Sequence, residues 1–469
     1  MTDPVGALRD ALGADAVLDA VADVVGYRGD LAIPEGGDIV AVIRPRSTAE
    51  AVAAVKICAE AGIVLTPRGG GTGLAGGATP APGRRTVVIS FERMRAIRAL
   101  DPVGNTVTVE AGCTLGALKE AAAQKNRIIG LDHGGSGSSQ IGGNLSTNAG
   151  GNNVLRYGMA REQVLGLEVV LADGRVLSDL RALRKNNSGY DLKHMFIGAE
   201  GTLGLITAAV LRLRPMPVAR ATALFALDSL DNVLRLFTRA QEALGESMTA
   251  FEVMSRAALA HHWKHANEAR RPFAGDPSWY VLMEADSASR YFDLTRAFED
   301  LSEGALDDAL IEDGTVAASE AQRLAFWKMR EDLAVAMIEV EGSLKSDQAV
   351  PIPAIPDFVA RASQAVTRAV PGCIPSPFGH IGDGNIHFNV LPPPDMPGRD
   401  FKARWGDVTR AIEDVAVSLG GTVSAEHGIG LIRREALARM RSAENIGLMR
   451  ALKETLDPQG IMNPGKVLP

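Results

Sequence analysis

The sequence lacks a segment that could cross a membrane or direct secretion. No apolar run reaches the about 18 residues that a spanning helix needs, and the N-terminus has neither the basic start nor the apolar stretch of a signal peptide. Cysteine is also scarce. Cys58, Cys113 and Cys373 have unrelated spacings, which fit neither a disulfide framework nor a zinc ligand set. We therefore expect a reducing compartment and a cytoplasmic location.

Positive charge is in deficit. The chain has 49 Lys and Arg against 56 Asp and Glu, giving a net charge of -7 and a pI near 5.7. This balance argues against a nucleic-acid partner, and an anionic substrate would have to be attracted by local positive charge. A length of 469 residues with 46% hydrophobic residues predicts two or three domains with ample cores.

Glycine, in contrast, is abundant, and it is concentrated between residues 69 and 204. In Thr66–Gly77, six of the twelve residues are glycine, and Ile63–Leu65 just before them is predicted to be a short strand. Without Cβ atoms, backbone N–H groups can approach an anion closely, and Arg68 adds a positive charge. We predict that this stretch holds a pyrophosphate.

A Rossmann fingerprint is the alternative interpretation of this stretch, since Gly71, Gly73 and Gly76 have the GxGxxG spacing. That fingerprint requires a helix to begin within the motif. Thr79-Pro-Ala-Pro-Gly83 follows instead and stops any helix. We therefore predict a phosphate-holding loop between two strands, with a solvent-exposed flexible loop as the remaining alternative.

A second glycine-rich stretch runs from Gly130 to Gly151. Its small and amide side chains cannot build a core, but they offer hydrogen bonds at close range to a flat polar ring system. A long irregular loop is the alternative, although loops over about a dozen residues are usually functional or disordered. The apolar residues Ile141, Leu145 and Val154 favour an ordered segment.

The remaining pattern predicts two kinds of domain. Residues 1–30 are predicted to be helical, Ser47 begins a capping box for a helix that ends near Glu60, and Pro215-Met-Pro217 marks a boundary. Beyond it, strands alternate with longer helices, which is typical of an α+β domain with helices on one face of a sheet. The predicted strands there are Ala221–Leu227, Ala250–Met254, Trp279–Glu284 and His387–Leu391, and the predicted helices are Asp231–Leu244, Ser287–Leu301 and Glu320–Ile338.

Three of the eight histidines form a candidate site. His380 and His387 flank the turn sequence Gly382-Asp-Gly-Asn385, which could bring both imidazoles to one place. Two histidines and the carboxylate of Glu426 make an ordinary ligand set for a catalytic divalent metal, and His427 is then left as an acid or base. Each histidine taken alone is more often a hydrogen-bonded core or surface residue. Arg330 and Lys345, otherwise surface charges, could supply the positive field for an anionic substrate.

These residues resemble a known family. The FAD-binding domain of the vanillyl-alcohol oxidase and p-cresol methylhydroxylase superfamily is similar to the motifs Pro67–Gly73, Ile141–Asn144, Thr147–Gly151 and Gly201–Gly204. The branch of FAD-linked D-2-hydroxyacid dehydrogenases is similar to Gly379–His387, Ser424–Gly428 and Asn463–Lys466. The resemblance covers nearly the whole chain, from about residue 38 to residue 468.

The resemblance implies an α+β chain with a two-part FAD-binding domain and a ferredoxin-like substrate domain. The expected bounds are 1–215 for the FAD-binding domain, with a C-terminal return at 456–469, and 216–455 for the substrate- and metal-binding domain. FAD is expected to be non-covalent, because the first glycine loop contains no histidine. The implied cofactor-binding residues are Arg68, Gly69, Gly70, Gly71, Thr72, Gly73, Asp132, Ser138, Gly142, Gly143, Asn144, Thr147, Gly151, Gly201, Ile206, Asn463 and Lys466.

The same resemblance assigns the chemistry. His380, His387 and Glu426 are expected to bind a divalent metal, with zinc favoured, and His427 to be the catalytic base. The implied substrate-binding residues are Arg330, Lys345 and Asn389. D-2-hydroxyglutarate is the favoured substrate, and the electrons are expected to pass to an electron-transfer flavoprotein, a quinone or a similar carrier rather than to oxygen. A homodimer is plausible.

Two departures from the family pattern leave the substrate open. Ala334 stands where a threonine is usual, and Ala349 stands where a serine is usual. D-lactate, D-malate and glycolate are therefore alternative substrates. Two further interpretations are a metal hydrolase in which the glycine loops are structural, and a non-catalytic flavin-binding subunit of a larger assembly.

Overall fold

The computed structural model describes residues 3–265 and 271–469, which form two units. The first unit contains Met1–Gly151, Tyr157–Met216 and Glu426–Pro469. The second unit contains Asn152–Arg156 and Pro217–Ala425. Among the described residues, no helix is long and apolar enough to cross a bilayer.

The strands, in chain order, are β1 (Val17–Leu18), β2 (Ile39–Ile43), β3 (Val64–Arg68), β4 (Thr86–Ser90), β5 (Ile97–Asp101), β6 (Thr106–Glu110), β7 (Arg127–Ile129), β8 (Val164–Val170), β9 (Val176–Asp179), β10 (Leu205–Pro215), β11 (Ala219–Leu227), β12 (Met248–Ser255), β13 (Trp279–Ser287), β14 (Asp313–Val316), β15 (Gln348–Ala349), β16 (Ile374–His380) and β17 (Asn385–Leu391). The α-helices are α1 (Pro4–Leu12), α2 (Val21–Val24), α3 (Thr48–Glu60), α4 (Leu115–Ala123), α5 (Ile141–Ser146), α6 (Val154–Tyr157), α7 (Ala160–Gln163), α8 (Lys193–Phe196), α9 (Leu230–Leu244), α10 (Arg256–His265), α11 (Leu294–Asp307), α12 (Glu320–Glu339), α13 (Ile355–Ala369), α14 (Gly398–Lys402), α15 (Trp405–Ser418), α16 (Arg434–Met440) and α17 (Ala443–Leu456). Short 3₁₀ turns occupy Ala14–Ala16, Val25–Tyr27, Gly245–Ser247, Ile352–Ala354 and Ile381–Asp383.

The first sheet of the first unit has the strand order β1-β2-β4-β3, and its last three strands are parallel. The crossover helix α3 begins as predicted, because the Ser47 side chain accepts the Glu50 N–H at 3.2 Å and Glu50 accepts the Arg46 N–H at 2.8 Å. The single helix predicted over residues 1–30 is wrong. Helix α1 ends at Gly13, which has φ 90°, and the chain then forms β1 on the sheet edge.

The second sheet of the first unit has the order β5-β6-β10-β8-β9, with β7 also pairing to β10, and all its pairs are antiparallel. The predicted hairpin of β8 and β9 and the predicted helix α4 are both present. Helix α4 is capped by the Thr114 side chain, which accepts the Ala117 N–H at 3.3 Å. Apolar side chains from α4, α5 and β10 share one core.

The second unit is built on an antiparallel sheet of order β14-β11-β13-β12-β16-β17-β15. Its first four strands with α9 and α11 form the β-α-β-β-α-β pattern of a ferredoxin-like fold. Helices α9, α11, α13 and α15 pack on one face, whereas α10 and α12 pack on the other, so the prediction of helices on one face only is wrong. The helix predicted from Ser287 begins at Leu294, because β13 continues to Ser287 in register with Ala219 of β11.

Candidate functional site

The first glycine-rich loop leaves β3 at Arg68 and reaches β4 without forming a helix. The Rossmann interpretation therefore has no structural support, and the loop between two strands is confirmed. The Arg68 guanidinium donates to the carbonyl oxygen of Gly29 and lies 5.6 Å from the centre of the Tyr27 ring. Burial lowers the pKa of Arg68. Its charge is thus held at the base of the loop by a carbonyl dipole and an aromatic face.

The two glycine-rich stretches meet in the first unit. A Cβ atom on Gly70 would lie 2.0 Å from the carbonyl oxygen of Ser138, and one on Gly69 would lie 3.4 Å from the Gly143 Cα. A Cβ atom on Gly135 would similarly lie 3.7 Å from Thr72 Cβ. Gly70 therefore cannot carry a side chain without moving the second stretch. Gly69 and Gly70, which are predicted to hold the pyrophosphate, thus lie beside Gly143 and Ser138, which are predicted to line the flavin.

Helix α5 lies within the second stretch, which agrees with the ordered segment that Ile141 and Leu145 indicated. Ile141 and Leu145 are buried, so the helix presents Gly142, Gly143 and Asn144 in fixed positions. Gly151 has φ +125°, and a Cβ atom there would lie 2.1 Å from the Asp132 carbonyl oxygen, so only glycine fits. Thr147 Oγ1 donates to the Gly143 carbonyl at 3.0 Å, Asp132 pairs with Lys119, and Ser138 is exposed.

The remaining predicted cofactor residues belong to two further segments of the first unit. Gly201 has φ +71° and packs against the Pro67 ring, while Ile206 is buried in the core that contains α5. The Asn463 side chain is buried and donates to the carbonyl oxygens of Gly77 at 2.9 Å and Glu200 at 2.7 Å. The C-terminal segment is thereby tied to the end of the first glycine loop.

Buried charged residues lie near these hydrogen bonds of Asn463. Lys466 is 2% exposed, and burial lowers its pKa to about 8, against the opposing effect of Asp30 and Glu200. Glu200 accepts the N–H groups of Ile429 at 2.7 Å and Gly430 at 2.9 Å. Burial raises the pKa of Glu200, and these two N–H groups oppose the rise. Sequence reasoning missed Glu200, whose only signal was a carboxylate inside a run of small residues.

The first unit's residues fit a dinucleotide. The two loops approach so closely that there is no room for a Cβ atom on Gly70. The backbone N–H groups of such a glycine loop suit a pyrophosphate. Two buried polar atoms in the same segments, Gln140 Oε1 and Asn463 Oδ1, have no hydrogen-bond partner among the described residues. Buried polar atoms are ordinarily satisfied, so these two indicate a polar ligand or water.

The second group of predicted site residues lies on strands β16 and β17 of the second unit. In the β16–β17 hairpin Phe378 pairs with His387, and the hairpin turns through Ile381–Asp383 to Gly384, which has φ 90°. Residues of β16 and β17 that face each other share one side of the sheet, so His380, His387 and Asn389 lie on the face covered by α12. The predicted turn is confirmed.

Two of the three predicted metal ligands lie close together in the second unit. The His380 and His387 ring centres are 5.4 Å apart. The third, Glu426, belongs to the first unit and directly follows Ala425, whose N–H donates to the Asp347 carbonyl oxygen at 3.1 Å. Two imidazoles and a carboxylate are a donor set that suits zinc with an open position.

A buried carboxylate that sequence reasoning missed joins this metal group to Arg330. Glu252 of β12 contacts His380 Nδ1 with Oε1 at 2.6 Å and accepts from Arg330 Nε with Oε2 at 2.8 Å. Burial alone would raise the pKa of Glu252, but His380 and Arg330 outweigh it and lower the pKa. The Arg330 guanidinium lies 4.8 Å from the centre of the Phe378 ring. The one sequence signal was an acidic residue within a buried strand.

The other two predicted substrate residues differ in their surroundings. Asn389 is buried, and its Oδ1 accepts the Ser346 N–H at 3.3 Å. Lys345 is exposed. The structure therefore places Arg330 and Asn389 on the buried face beside the histidines, and it places the Lys345 side chain at the surface.

The chain is similar to known proteins over nearly its whole length. The chain matches the family described as FAD linked oxidases, C-terminal domain, over residues 216–467, and the FAD binding domain over residues 39–179. A D-2-hydroxyglutarate dehydrogenase from Xanthomonas citri pv. viticola is 37% identical over 470 residues, covering 100% of this chain and 97% of the relative. A mitochondrial D-2-hydroxyglutarate dehydrogenase from Danio rerio is 36% identical over 435 residues, covering 91% of this chain and 78% of the relative.

Solved structures confirm the predicted fold class. p-Cresol methylhydroxylase superposes with a TM-score of 0.77 at 16% identity, covering 99% of this chain and 96% of the neighbour. Alkyldihydroxyacetonephosphate synthase superposes with a TM-score of 0.71 at 18% identity, covering 98% of this chain and 84% of the neighbour. The chain therefore has the fold of p-cresol methylhydroxylase, it belongs to the FAD-linked D-2-hydroxyacid dehydrogenases, and it is an FAD-dependent 2-hydroxyacid dehydrogenase.

Proposed function

We propose that this enzyme oxidises D-2-hydroxyglutarate to the 2-oxo acid, with non-covalent FAD and a divalent metal, zinc being favoured. The observation that carries the proposal is the shared sheet face of the second unit, where the buried Arg330 guanidinium lies in one bonded group with His380. A substrate with two carboxylates needs a second cationic site besides the metal, and Arg330 supplies one. The names of the relatives, D-2-hydroxyglutarate dehydrogenases, point the same way.

FAD, when bound, supplies the two-electron acceptor that no side chain provides. Backbone N–H groups of Gly69–Gly73 would hold its pyrophosphate, and Asn144, Thr147 and Lys466 would line its ring. The first glycine loop has no histidine that could attach the flavin covalently. Denaturing the yellow protein should therefore release the flavin into a filtrate, whereas flavin that stays with the chain would contradict non-covalent binding.

The second unit's side chains would bind and orient the substrate. A divalent metal held by His380, His387 and Glu426 would supply positive charge for the hydroxyl and the adjacent carboxylate. Arg330 would hold the distal carboxylate through its two terminal nitrogens, because Nε already faces Glu252. Asn389 would contact the polar groups near the hydroxyl. Lys345, at the surface, would help to attract the anion to an acidic protein.

His427 would act as the general base. It would take the proton of the substrate hydroxyl while the hydrogen on the same carbon leaves with its electron pair. Positioned general bases typically contribute about 10²–10⁴-fold in rate. Glu200 supports this assignment, since it holds the backbone of Ile429 and Gly430 just after the base.

A substrate panel tests the proposal. The zinc-loaded enzyme is assayed with D-2-hydroxyglutarate, D-malate, D-lactate and glycolate, using an artificial dye as acceptor. We expect the highest kcat/KM for D-2-hydroxyglutarate and a lower value for D-malate, whose carboxylates are one carbon closer. A highest kcat/KM for D-lactate or glycolate would contradict the assigned role of Arg330 and leave only the family-level activity.

The acceptor, compartment and assembly complete the proposal. An electron-transfer flavoprotein and a quinone are the two candidate acceptors, and mixing the substrate-reduced enzyme with each would distinguish them. Three buried, unpaired cysteines support a reducing compartment such as the cytoplasm. A homodimer is proposed, and light scattering would test it.

A further inference from the structure

Glu252 lies within a closed ring of contacts on the sheet of the second unit. Its two oxygens contact His380 and Arg330, and the ring continues from His380 to His387 at 5.4 Å, on to Phe378 at 5.4 Å, and from Phe378 to Arg330 at 4.8 Å. The two distances of 5.4 Å join ring centres, and the distance of 4.8 Å joins the Phe378 ring centre to the guanidinium carbon of Arg330. A single carboxylate thus contacts both a proposed metal ligand and a proposed substrate ligand.

The contact with His380 favours one tautomer of its imidazole. Glu252 Oε1 lies 2.6 Å from Nδ1, and a carboxylate can only accept a hydrogen bond, so the hydrogen belongs on Nδ1 and Nε2 is the nitrogen that would bind a metal. A carboxylate behind a metal-binding histidine sets the tautomer, orients the ring and raises the basicity of the ligand nitrogen. Loss of such a partner typically weakens metal binding about 10–100-fold.

The contact with Arg330 fixes the second group. Oε2 accepts from Nε at 2.8 Å, and the Phe378 ring lies against the guanidinium. With Nε held, the plane of the guanidinium is set, and its two terminal nitrogens are directed as a pair. A planar pair of donors matches a carboxylate and holds it in one orientation.

We infer that Glu252 is the positioning residue that couples the metal site to the distal-carboxylate site, so that one buried side chain sets both metal affinity and preference for a dicarboxylic substrate. The inference rests on the proposed function, because it takes His380 as a metal ligand and Arg330 as the substrate's second anchor. The register of β12 and β16 explains why Glu252 lies beside His380. Val253 pairs with Gly379, so the next pair along the two strands is Glu252 and His380.

A purely structural role is the competing explanation, since Glu252 is 1% exposed and neutralises a buried cation. Glu284 provides a matched control in the same sheet. It is 8% exposed, lies on the adjacent strand β13, and accepts from Arg323 at 3.1 Å and from Trp327 Nε1 at 2.8 Å. It therefore has the chemistry of a buried ion pair without contact to His380 or Arg330 among the described bonds.

The experiment compares Glu252→Gln and Glu284→Gln in the FAD-loaded enzyme. Zinc affinity is measured by competition with a chromophoric chelator, and KM and kcat are measured with D-2-hydroxyglutarate and D-lactate. We expect Glu252→Gln to weaken zinc binding about 10–100-fold. In this variant the KM for D-2-hydroxyglutarate should rise by a larger factor than the KM for D-lactate. Glu284→Gln should keep the wild-type zinc affinity and the wild-type ratio of the two KM values.

The outcomes separate the two proposals. Wild-type zinc affinity and an unchanged ratio of KM values in Glu252→Gln would overturn the inference while leaving the proposed function standing. A wild-type enzyme that binds no zinc with D-2-hydroxyglutarate turnover intact would overturn both. Both variants could lower thermal stability equally. The zinc titration on folded protein then still distinguishes a positioning role of Glu252 from a purely structural one.

Discussion

Replacing Gly70 with alanine tests the contact between the two glycine-rich stretches. The added Cβ would lie 2.0 Å from the Ser138 carbonyl oxygen, 2.8 Å from its carbon and 3.0 Å from the Ser139 Cα. Ordinary contact begins at 3.4 Å, so the Ser138 backbone would have to retreat by about 1.4 Å, the difference between 3.4 and 2.0. Backbone atoms cannot move aside as a flexible side chain can.

Overpacking of this kind typically costs about 1–3 kcal/mol. Because the displaced backbone belongs to the loops that would hold FAD, the cost should fall on cofactor binding. About 1.4 kcal/mol corresponds to tenfold in affinity, so we expect FAD to bind roughly 5–150-fold more weakly. Titration of the apoprotein with FAD, followed by quenching of flavin fluorescence, measures this change, and circular dichroism checks that the fold is retained.

Gly447→Ala is the matched control. Gly447 lies within helix α17, and a Cβ atom there would meet nothing within 4 Å. Alanine in a helix interior is favoured over glycine by roughly 0.5–1 kcal/mol, so this variant should be slightly more stable and bind FAD normally. Wild-type FAD affinity in Gly70→Ala would refute the close approach of the two stretches.

Three further predictions concern the base, the metal and the buried lysine. His427→Ala should stay yellow but lose about 10²–10⁴-fold in turnover, and a near-normal kcat would remove His427 from the mechanism. Chelation should abolish turnover while FAD stays bound, and zinc should restore it; full activity after verified metal removal would contradict metal dependence. Lys466 has a folded pKa of about 8 against an ordinary value of 10.5, so the unfolded chain binds more protons between these values and apoprotein stability should rise from pH 8 to pH 10.5. Urea unfolding should show this rise in the wild type and not in Lys466→Met, and equal slopes in the two proteins would contradict it.

Local patterns in the sequence were enough for much of the fold. The capping box at Ser47, the helix after Thr114 and the turn at Gly382–Asn385 depend on neighbouring residues only, and all three are present. The glycine and proline content after β3 excluded a helix for the same reason. Motifs carried by consecutive residues could therefore be located without tertiary information.

Tertiary contacts decided what the sequence could not show. Strand β13 continues to Ser287 because it pairs with β11, so the following helix begins later than its composition predicts. Glu252 contacts His380 across 128 positions, and Glu200 contacts Ile429 across 229. Neither carboxylate lies in a recognisable motif, because its role is set by partners that are distant in sequence.

Anaerobic reduction of the bound flavin tests the central claim most directly. The purified enzyme, loaded with FAD and zinc, is mixed with D-2-hydroxyglutarate while the visible flavin absorbance is followed in a stopped-flow instrument. We predict rapid bleaching with D-2-hydroxyglutarate, slow bleaching with D-lactate and none with the L enantiomer. A flavin that stays oxidised with D-2-hydroxyglutarate, or that D-lactate bleaches faster, would contradict the assigned substrate.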